Sequence, residues 1–384
     1  MRAKCQHFKE CGGCSFQDVK YSRQLEKKTE RLEHITSVSN PRIVPSLNIY
    51  GFRNKMEYSF EKGNLGLHPK GKYNKVVDLK ECPVFSKWIG DFLENIRKFA
   101  AGYGLSYYNR EKNRGLLRYL IVKESKFTKE KLVMLVVDGN TSELQKFNEV
   151  KDKFKKTVVE YFNCPAVAVI SYRHSRGDTA VSNDYEILTS KKYLNMKISP
   201  SEDFSISLSP YSFFQPNSYQ ISNIYKTVKK GVGDVKNILD LYTGVGSIPF
   251  YISGPGREIT GVENFRSCIE DARYNHARIQ PPGQLKFIYS KARQFLDSAD
   301  KFYHTVILDP PRGGISYRVF NHINRLKKET GGPEKVIYIC CSLKNLEEDI
   351  YHLKEKLGWE LTDITGIDQF VHTPHLEVIA EFNL

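Results

Sequence analysis

A pair of cysteines at the end of a predicted strand is the strongest sign of chemistry in the sequence. Cys340 and Cys341 close the apolar segment 335–340, which has the composition of a buried strand. A thiolate is a soft nucleophile that attacks electron-poor carbons well. A buried structural cysteine is the ordinary alternative for either residue. The position at the strand end favours a catalytic role for one of these two thiols.

Two carboxylates follow other predicted strands. Asp309 ends the segment 305–309 and is followed by two prolines, which make a rigid loop. Glu377 begins the last predicted strand, and a carboxylate there could remove a proton from a reaction intermediate. His372 and His375 precede it, but no Cys or Asp lies at a spacing that would complete a local metal site. We therefore expect acid–base chemistry rather than metal binding near Glu377.

A glycine-rich turn predicts a nucleotide-type ligand. Gly244 and Gly246 follow a predicted strand at 237–242, where glycines let the backbone approach a ligand closely. The next strand ends in Glu263, placed to bind the two hydroxyls of a ribose. No third glycine follows at the dinucleotide spacing, which favours an adenosyl ligand without a pyrophosphate. The next strand end, at 290–292, lacks an acidic residue for the adenine amino group.

The elements around these residues predict the fold. From residue 206, strands and helices alternate, which indicates a doubly wound α/β sheet of Rossmann type, and the carboxyl ends of its strands bind ligands. Residues 1–205 form a β-rich α+β region with a charged helical stretch near 18–35. We therefore predict an N-terminal region at 1–205 and a catalytic domain at 206–384.

Charge is distributed unevenly between these two parts. The net charge is +14, of which residues 1–205 carry +13 and residues 206–384 carry +1. A basic region joined to a neutral one predicts a polyanionic partner such as RNA. No apolar run reaches about 18 residues, and the N-terminus lacks a secretory signal pattern. We expect a cytoplasmic protein without membrane contact.

Four further cysteines have the spacing of a metal site. Cys5, Cys11 and Cys14 lie close in sequence, and 67 residues separate Cys14 from Cys82. Without a signal peptide, reduced thiols are expected rather than a disulfide framework. The pattern suits a four-thiolate site, and spacing alone leaves zinc and an iron–sulfur cluster equally open. The remaining Cys164 and Cys268 are interpreted as structural.

Taken together, the motifs resemble the RNA 5-methyluridine methyltransferase family over nearly the whole chain. The matching segments are Phe52-Arg-Asn-Lys, Phe213-Phe-Gln-Pro-Asn, Asp240-Leu-Tyr-Thr-Gly-Val-Gly, Asp309-Pro-Pro-Arg, Cys340-Cys-Ser and His372-Thr-Pro-His-Leu-Glu. The resemblance implies methylation of uridine C5 with S-adenosylmethionine. Thiolate addition at C6 of uracil would make C5 reactive, because C5 is otherwise too weakly nucleophilic to take a methyl group.

The same resemblance implies roles for individual residues. Cys341 would be the nucleophile and Glu377 the base that removes the C5 proton. The residues that would line the cofactor and uracil pockets are Gln215, Tyr242, Gly244, Gly246, Glu263 and Asp309. Family members usually have Ser-Cys-Asn-Pro at the nucleophile, whereas this chain has Ser342 and Leu343 after the cysteine. That departure raises a question about the local loop rather than about the thiol.

The N-terminal cysteines resemble those of the ribosomal RNA branch of the family, whose members carry a [4Fe-4S] cluster. The resemblance thus favours a cluster over zinc, and ribosomal RNA, specifically 23S, over transfer RNA as the substrate. Arg53, Lys55 and Arg118 are candidate contacts to RNA, and each could equally be a solvated surface charge. The target uridine would have to leave its stack to reach the thiol. We expect a monomer.

Two other functions would share part of this pattern. A 5-methylcytidine methyltransferase would share thiol attack at C6, but such enzymes use a Pro-Cys nucleophile and a second Thr-Cys cysteine, and neither occurs here. A non-catalytic RNA-binding or cluster-carrying protein of the same fold is the alternative from another class. The presence of Cys341, Asp309 and Glu377 together argues against it.

Overall fold

A computed structural model describes residues 3–175, 180–182 and 184–384. The chain divides into two compact units. Unit 1 comprises Met1–Lys20, Asn48–Tyr211 and Pro216–Ser218, and unit 2 comprises Tyr21–Leu47, Ser212–Gln215 and Tyr219–Leu384. The single boundary predicted between residues 205 and 206 differs from this division, because residues 21–47 belong with the C-terminal unit. No helix in the described part of the chain is long and apolar enough to cross a membrane.

The secondary structure elements within the described residues are numbered in chain order. The helices are α1 (Tyr21–Thr36), α2 (Ile89–Gly102), α3 (Leu144–Phe162), α4 (Ile221–Val232), α5 (Ser247–Ile252), α6 (Arg266–Ile279), α7 (Ala292–Asp297), α8 (Tyr317–Thr330) and α9 (Leu343–Leu357). The strands are β1 (Arg42–Val44), β2 (Lys55–Glu61), β3 (Asn64–Leu67), β4 (Val77–Asp78), β5 (Leu117–Glu124), β6 (Lys131–Asp138), β7 (Ala166–Arg173), β8 (Tyr185–Ile187), β9 (Leu194–Met196), β10 (Ile206–Leu208), β11 (Asn237–Leu241), β12 (Glu258–Glu263), β13 (Gln284–Tyr289), β14 (Thr305–Leu308), β15 (Lys335–Cys340), β16 (Glu360–Ile367) and β17 (Glu377–Asn383).

Unit 2 contains a doubly wound sheet. Among the described residues its strand order is β1-β16-β17-β15-β14-β11-β12-β13. The run from β15 to β13 is parallel, whereas β17 is antiparallel to both β15 and β16. Helices connect the parallel strands. Strands β11, β14 and β15 are buried except at the first residues of β11 and β15, as expected for parallel strands covered on both faces. The mixed α/β fold with a Rossmann-like sheet that the sequence predicts is confirmed.

Unit 1 is built on a second, largely antiparallel sheet. Its described strands lie in the order β4-β3-β2-β5-β6-β7-β8, with β9 and β10 forming a separate pair. Among the strand pairs that the described residues form in this sheet, only β6 and β7 run parallel, and α3 joins them. Aromatic side chains pack between α2 and α3, where the rings of Phe92 and Phe162 lie 4.9 Å apart. The strands at the centre, β5 and β6, are buried almost throughout, which explains their β-branched and leucine-rich composition.

Helix α1 packs within unit 2 through a buried face that combines Leu32 with the polar residues Gln24, Lys28 and Thr36. The Nζ atom of Lys28 lies 2.5 Å from Oδ1 of Asp368, and both side chains are at most 1% exposed. Tyr21 donates a hydrogen bond of 2.7 Å to the other oxygen of that carboxylate. Gln24 accepts a hydrogen bond from the backbone N–H of His372 at 3.0 Å. These contacts attach the segment that follows β16 to α1.

Replacing Lys28 with Met should lower the free energy of unfolding by about 3–5 kcal/mol, because it leaves the Asp368 carboxylate buried without its cation. Urea denaturation of the full chain measures the change. The matched control is Lys27→Met on the exposed face of the same helix, which should change stability by less than about 0.5 kcal/mol. Equal losses in the free energy of unfolding for the two substitutions would show that the buried Lys28–Asp368 pair contributes no more to stability than an exposed lysine.

Candidate active site

The turn after β11 has the backbone geometry that a closely bound ligand requires. Tyr242, Gly244 and Gly246 have φ values of 64°, 56° and 77°. A Cβ at position 246 would lie 2.7 Å from the ring of Phe287, so only glycine fits there. The turn therefore presents bare backbone at the carboxyl end of the central strand, where doubly wound sheets bind their ligands.

Glu263 lies beside that turn at the end of β12. Its Oε1 accepts hydrogen bonds from the backbone N–H groups of Asn264 and Phe265 at 2.7 and 2.8 Å. Its Oε2 accepts one from Gly244 N at 3.1 Å. A carboxylate has about four acceptor positions, so Oε2 retains capacity for a further donor. A carboxylate held against a glycine turn fits the ribose of an adenosyl ligand.

Sheet register brings the predicted nucleophile and base together. Cys340 is opposite Val378 in the antiparallel pair of β15 and β17, so the next residue, Cys341, comes opposite Glu377. Glu377 is also in register with Ile367, the last residue of β16. The side chains at these three strand ends therefore share one edge of the sheet with Asp309, whose backbone N–H donates to Leu241 O at 3.4 Å.

The two adjacent cysteines have different surroundings. Cys340 is 3% exposed within the core of unit 2, and its thiol donates to Ser342 O at 3.3 Å. Cys341 is partly exposed. Burial and, to a smaller extent, the charge of Glu377 raise the pKa of the Cys341 thiol to about 11, although the charge of Arg312 opposes both. Among the two thiols, Cys341 is the one that interacts electrostatically with Arg312 and Glu377.

Two buried carboxyls are linked through a chain of amides. Gln215 Nε2 donates to Asp309 Oδ2 at 3.0 Å. Gln369 Nε2 donates to Gln215 Oε1 at 3.0 Å and to Glu377 Oε2 at 2.6 Å. Burial raises the pKa of Asp309, as does the charge of Glu263. Burial also raises the pKa of Glu377, with a further contribution from Asp309. Both acids thus favour the protonated form more than a surface carboxylate does.

Arg312 is the cation of this site. Its guanidinium lies 5.3 Å from the centre of the Phe370 ring, a cation–π distance. Its backbone oxygen accepts a hydrogen bond from Asn345 at 3.2 Å. The positive charge lowers the pKa of both Cys341 and Glu377 against the effect of burial. Arg312 therefore stabilises the anionic forms of the thiol and of the carboxyl.

The departure at Ser342 and Leu343 is explained by the start of α9. Ser342 is the N-cap residue of that helix, and its side chain accepts a hydrogen bond from Asn345 N at 3.3 Å. Serine and asparagine are equally good N-caps, and proline is favoured but not required at the first helical position. Leu343 is 4% exposed there and packs into the core. The loop after Cys341 is thus formed with different residues in the same structural roles.

Replacing Ser342 with Ala should destabilise the chain by about 0.5–2 kcal/mol, because the N-terminal turn of α9 loses its side-chain acceptor. Ser342→Asn keeps an acceptor at that position and should remain within a few tenths of a kcal/mol of the wild type. Thermal or urea denaturation distinguishes the two variants. Equal losses in both would mean that packing rather than capping explains the effect.

The four N-terminal thiols lie near one another in unit 1. The pKa of Cys82 is raised to about 12, first by its almost complete burial and then by the charges of Cys14, Cys11 and Cys5. Burial also raises the pKa of Cys5 to about 11. Within the described residues, no group of three or more Cys, His, Asp or Glu side chains has the arrangement of a metal site. Proximity of the thiols is therefore observed, whereas a bound metal is not shown.

The three candidate RNA contacts have different surroundings. Arg53 lies beside the N-terminal thiols, where its charge lowers the pKa of Cys11, Cys14 and Cys82. The Nζ atom of Lys55 is 2.6 Å from Glu57 Oε1 on a partly exposed surface.

Arg118 does not have the surface position expected of an RNA contact. It is 3% exposed, stacks on the ring of Tyr108 at 4.2 Å and pairs with Asp138 at 3.4 Å. Because β5 is buried almost throughout, a polar residue in it points inward. Direct RNA contact by Arg118 therefore does not fit this structure.

Sequence reasoning missed Gln369 and the buried face of α1. Gln369 is 1% exposed and lies in the segment between β16 and β17, the strand that begins with the candidate base. The available signal was a polar Asp368-Gln369 pair directly after the apolar end of β16. Polar residues at that position, followed by a predicted catalytic carboxylate, indicate a site rather than a surface loop.

Comparison with known proteins defines the class. The model of the tRNA (uracil-5-)-methyltransferase family matches residues 180–380. The chain belongs to this family of RNA uracil-C5 methyltransferases, and it is an enzyme with a class I methyltransferase fold.

Particular relatives resemble the chain over almost its whole length. It is 33% identical to the tRNA (uracil(54)-C(5))-methyltransferase of Pyrococcus horikoshii, over 99% of this chain and 85% of that protein. It is 31% identical to the 23S rRNA (uracil(747)-C(5))-methyltransferase of Pyrococcus furiosus, over 99% and 85% of the two chains. The solved structure of the Pyrococcus abyssi tRNA (uracil-54, C5)-methyltransferase in complex with S-adenosyl-L-homocysteine matches with a TM-score of 0.77 and 28% identity, covering 97% of this chain and 86% of that one.

Proposed function

We propose that this protein methylates carbon 5 of a uridine in RNA, with Cys341 as the nucleophile and Glu377 as the base. The observation that carries the proposal is the register of β15, β16 and β17, which brings a thiol and a buried carboxyl to one edge of the sheet beside Asp309. A thiol and a proton acceptor are the two protein groups that this reaction requires.

S-adenosylmethionine, when bound, supplies an electrophilic methyl group. The Gly244–Gly246 turn and the Oε2 atom of Glu263 fit its adenosyl part, because they offer bare backbone and an acceptor for ribose hydroxyls. Asp309 follows β14, which lies between β11 and β15 in the sheet, and Gln215 donates a hydrogen bond to it. Both residues would therefore face the donor and the uracil.

The protein groups act in a defined order. The Cys341 thiolate forms a bond to C6, and the electron pair of the C5–C6 double bond moves toward O4, so that C5 becomes nucleophilic. After C5 has been methylated, Glu377 accepts the C5 proton. The electron pair of that C–H bond re-forms the double bond while the C6–S bond breaks, which returns the thiolate. Arg312 stabilises the negative charge at the sulfur at both ends of the cycle.

The activity is tested by incubating the purified chain with labelled S-adenosylmethionine and RNA transcripts, followed by digestion to nucleosides. Label in 5-methyluridine is the expected result. Label in 5-methylcytidine, or in no nucleoside, would contradict the proposal. Ribosomal RNA remains our predicted substrate; because the relatives include enzymes named for tRNA and for 23S rRNA, the assay should compare both transcripts in parallel.

We further propose that Cys5, Cys11, Cys14 and Cys82 hold a [4Fe-4S] cluster, with zinc as the alternative. The support is their mutual electrostatic interaction. The pKa values of all four thiols are raised, although only Cys82 is buried and the other three are partly exposed. Such thiols would not ionise together without a cation, and ligation to metal deprotonates a thiol outright. The charge of Arg53 lowers the pKa of Cys11, Cys14 and Cys82, which suits an anionic thiolate cluster.

Replacing Cys82 with Ser should remove bound iron and sulfide from anaerobically prepared protein, because three thiolates hold such a cluster less tightly than four. The matched control is Cys164→Ser, also in unit 1 but interacting with Lys131, Glu124 and Glu130 rather than with the other thiols. It should retain the wild-type metal content. Zinc without sulfide in the wild-type protein would support the zinc site instead of the cluster. A wild-type protein that contains neither an iron–sulfur cluster nor zinc would overturn the proposal of a metal site.

A further inference from the structure

The amide of Gln369 is placed where it can control how the base accepts its proton. Its Nε2 group has two N–H bonds. One is directed at Glu377 Oε2 and the other at Gln215 Oε1. Gln215 in turn donates to Asp309, which fixes the direction of the whole chain. The opposite amide orientation would bring the Gln369 carbonyl oxygen against two acceptor oxygens, so the hydrogen-bond network assigns this one.

The backbone that carries Gln369 is held independently of Glu377. The preceding residue, Asp368, is completely buried and paired with Lys28 and Tyr21 of α1. Its backbone N–H also donates to Val44 O at 3.0 Å. Farther along the same segment, His372 contacts Gln24. Gln369 therefore presents its amide from a fixed position, as a residue that orients a catalytic group must.

The hydrogen bond from Gln369 distinguishes the two oxygens of the Glu377 carboxylate. Oε2 is engaged by the amide at 2.6 Å, so Oε1 is the atom left to accept a proton from substrate. A neutral carboxyl with its proton on Oε1 can still accept the same bond at Oε2, so the contact persists through the transfer. The bond is stronger to the ionised form, and it therefore supports Glu377 as a base inside a buried site.

Other charges around Glu377 make this support necessary. Asp309 at the end of β14 and the Cys341 thiolate at the end of β15 both disfavour a second negative charge, whereas Arg312 on the loop after β14 favours it. The charge of Asp368 on the loop before β17 is compensated by Lys28. Among the described neighbours, Gln369 is the neutral donor that contacts the carboxylate directly.

We propose that Gln369 is a positioning residue that holds Glu377 with Oε1 toward C5 of the uracil and stabilises its ionised form, so that the C5 proton is taken by that oxygen and Cys341 is released. This inference rests on the proposed uridine-C5 methylation. It concerns only the last step of the cycle, in which the C5–H electron pair re-forms the ring double bond and the sulfur leaves as thiolate.

The test is Gln369→Met, which keeps a similar volume and removes the donor. The methylated protein–RNA adduct should form within about threefold of the wild-type rate, since Gln369 does not contact the thiol. Its breakdown should slow by about 10- to 100-fold at neutral pH, the effect of one hydrogen bond to a charged group. Loss of the donor raises the pKa of Glu377, so the breakdown rate should recover as pH rises and its pH profile should shift to the alkaline side.

Adduct breakdown is measured by quenching in SDS across a pH series, after rapid mixing of enzyme, labelled S-adenosylmethionine and RNA. The matched control is Gln24→Met, which also removes a buried amide that contacts the segment between β16 and β17. It should keep the wild-type pH profile. Gln369→Asn, whose amide is too short to reach both acceptors, provides a second variant if the Met variant does not fold.

The outcomes separate this inference from the proposed function. An active wild type, with unchanged adduct breakdown and pH profile in the Gln369 variants, overturns the role of Gln369 alone. If Gln24→Met shifts the pH profile of adduct breakdown equally, the effect belongs to the whole segment between β16 and β17, and the proposed role of Gln369 is again overturned. A wild-type protein that forms no 5-methyluridine overturns the proposed function, and the inference falls with it.

Discussion

Replacing Cys341 with Ser is expected to abolish uridine methylation, with turnover falling by at least about 10⁴-fold. A serine hydroxyl at this site has no general base strong enough to ionise it, and an alkoxide is a far less accessible nucleophile than a thiolate. Without sulfur addition at C6, C5 remains too weakly nucleophilic to accept a methyl group. Single-turnover assays with labelled S-adenosylmethionine measure the loss, and SDS gels should show no protein–RNA adduct.

The neighbouring cysteine provides the matched control for this experiment. Cys340→Ser retains a donor for the Ser342 backbone oxygen, which is the contact that the buried thiol makes. Its activity should stay close to that of the wild type, although burial of a hydroxyl in the core is expected to reduce stability somewhat. If Cys340→Ser abolished activity and Cys341→Ser did not, the nucleophile would be the first cysteine of the pair.

The pH dependence of adduct formation follows from the state of this thiol. Burial and Glu377 raise the pKa of Cys341 to about 11, so the neutral thiol dominates in the resting enzyme. The rate of adduct formation should therefore increase with pH up to that value. Arg312→Met removes the positive charge that lowers the pKa of Cys341. The increase in the rate of adduct formation should therefore occur at higher pH.

Much of this arrangement could be predicted from the sequence because the sheet is parallel at its centre. Apolar runs that alternate with helices indicate a doubly wound fold, and the ends of parallel strands must meet at one edge. Glu263, Asp309 and Cys341 each follow such a run, so their shared edge required no knowledge of tertiary contacts. The observed registers of β11, β12, β14 and β15 agree with this expectation.

The polar interior could not be predicted in the same way. Lys28 and Asp368 are 340 positions apart, and each alone resembles a solvated charge on an amphipathic helix or loop. The sequence predicts only a charged helical stretch near 18–35, and nothing in its composition marks Gln24 and Lys28 as the side chains that the structure leaves at most 2% exposed. The prediction that Arg118 contacts RNA was misleading for a similar reason. A single charged residue in an apolar strand can lie on the exposed or the buried face of a sheet, and the sequence alone does not distinguish the two. Pairing across such distances is determined by the fold rather than by local pattern.

Replacing Glu377 with Gln is expected to arrest the cycle after methyl transfer. The amide has nearly the size of the carboxylate, and its oxygen can still accept the hydrogen bond from Gln369, but it cannot take up the C5 proton. Addition of Cys341 at C6 should proceed, whereas release should slow by about 10²–10⁴-fold, the usual contribution of a general base. The methylated RNA would therefore remain covalently attached to the protein.

The trapped species should appear on SDS gels as a slower-migrating band that contains both labelled RNA and the methyl group donated by S-adenosylmethionine. The double variant Cys341→Ser with Glu377→Gln should give no such band, since the link is the sulfur–C6 bond. Normal turnover in Glu377→Gln would exclude Glu377 as the base. Because Asp309 is also buried with a raised pKa and is linked to Glu377 through Gln215 and Gln369, it would then be the carboxyl to test as the proton acceptor.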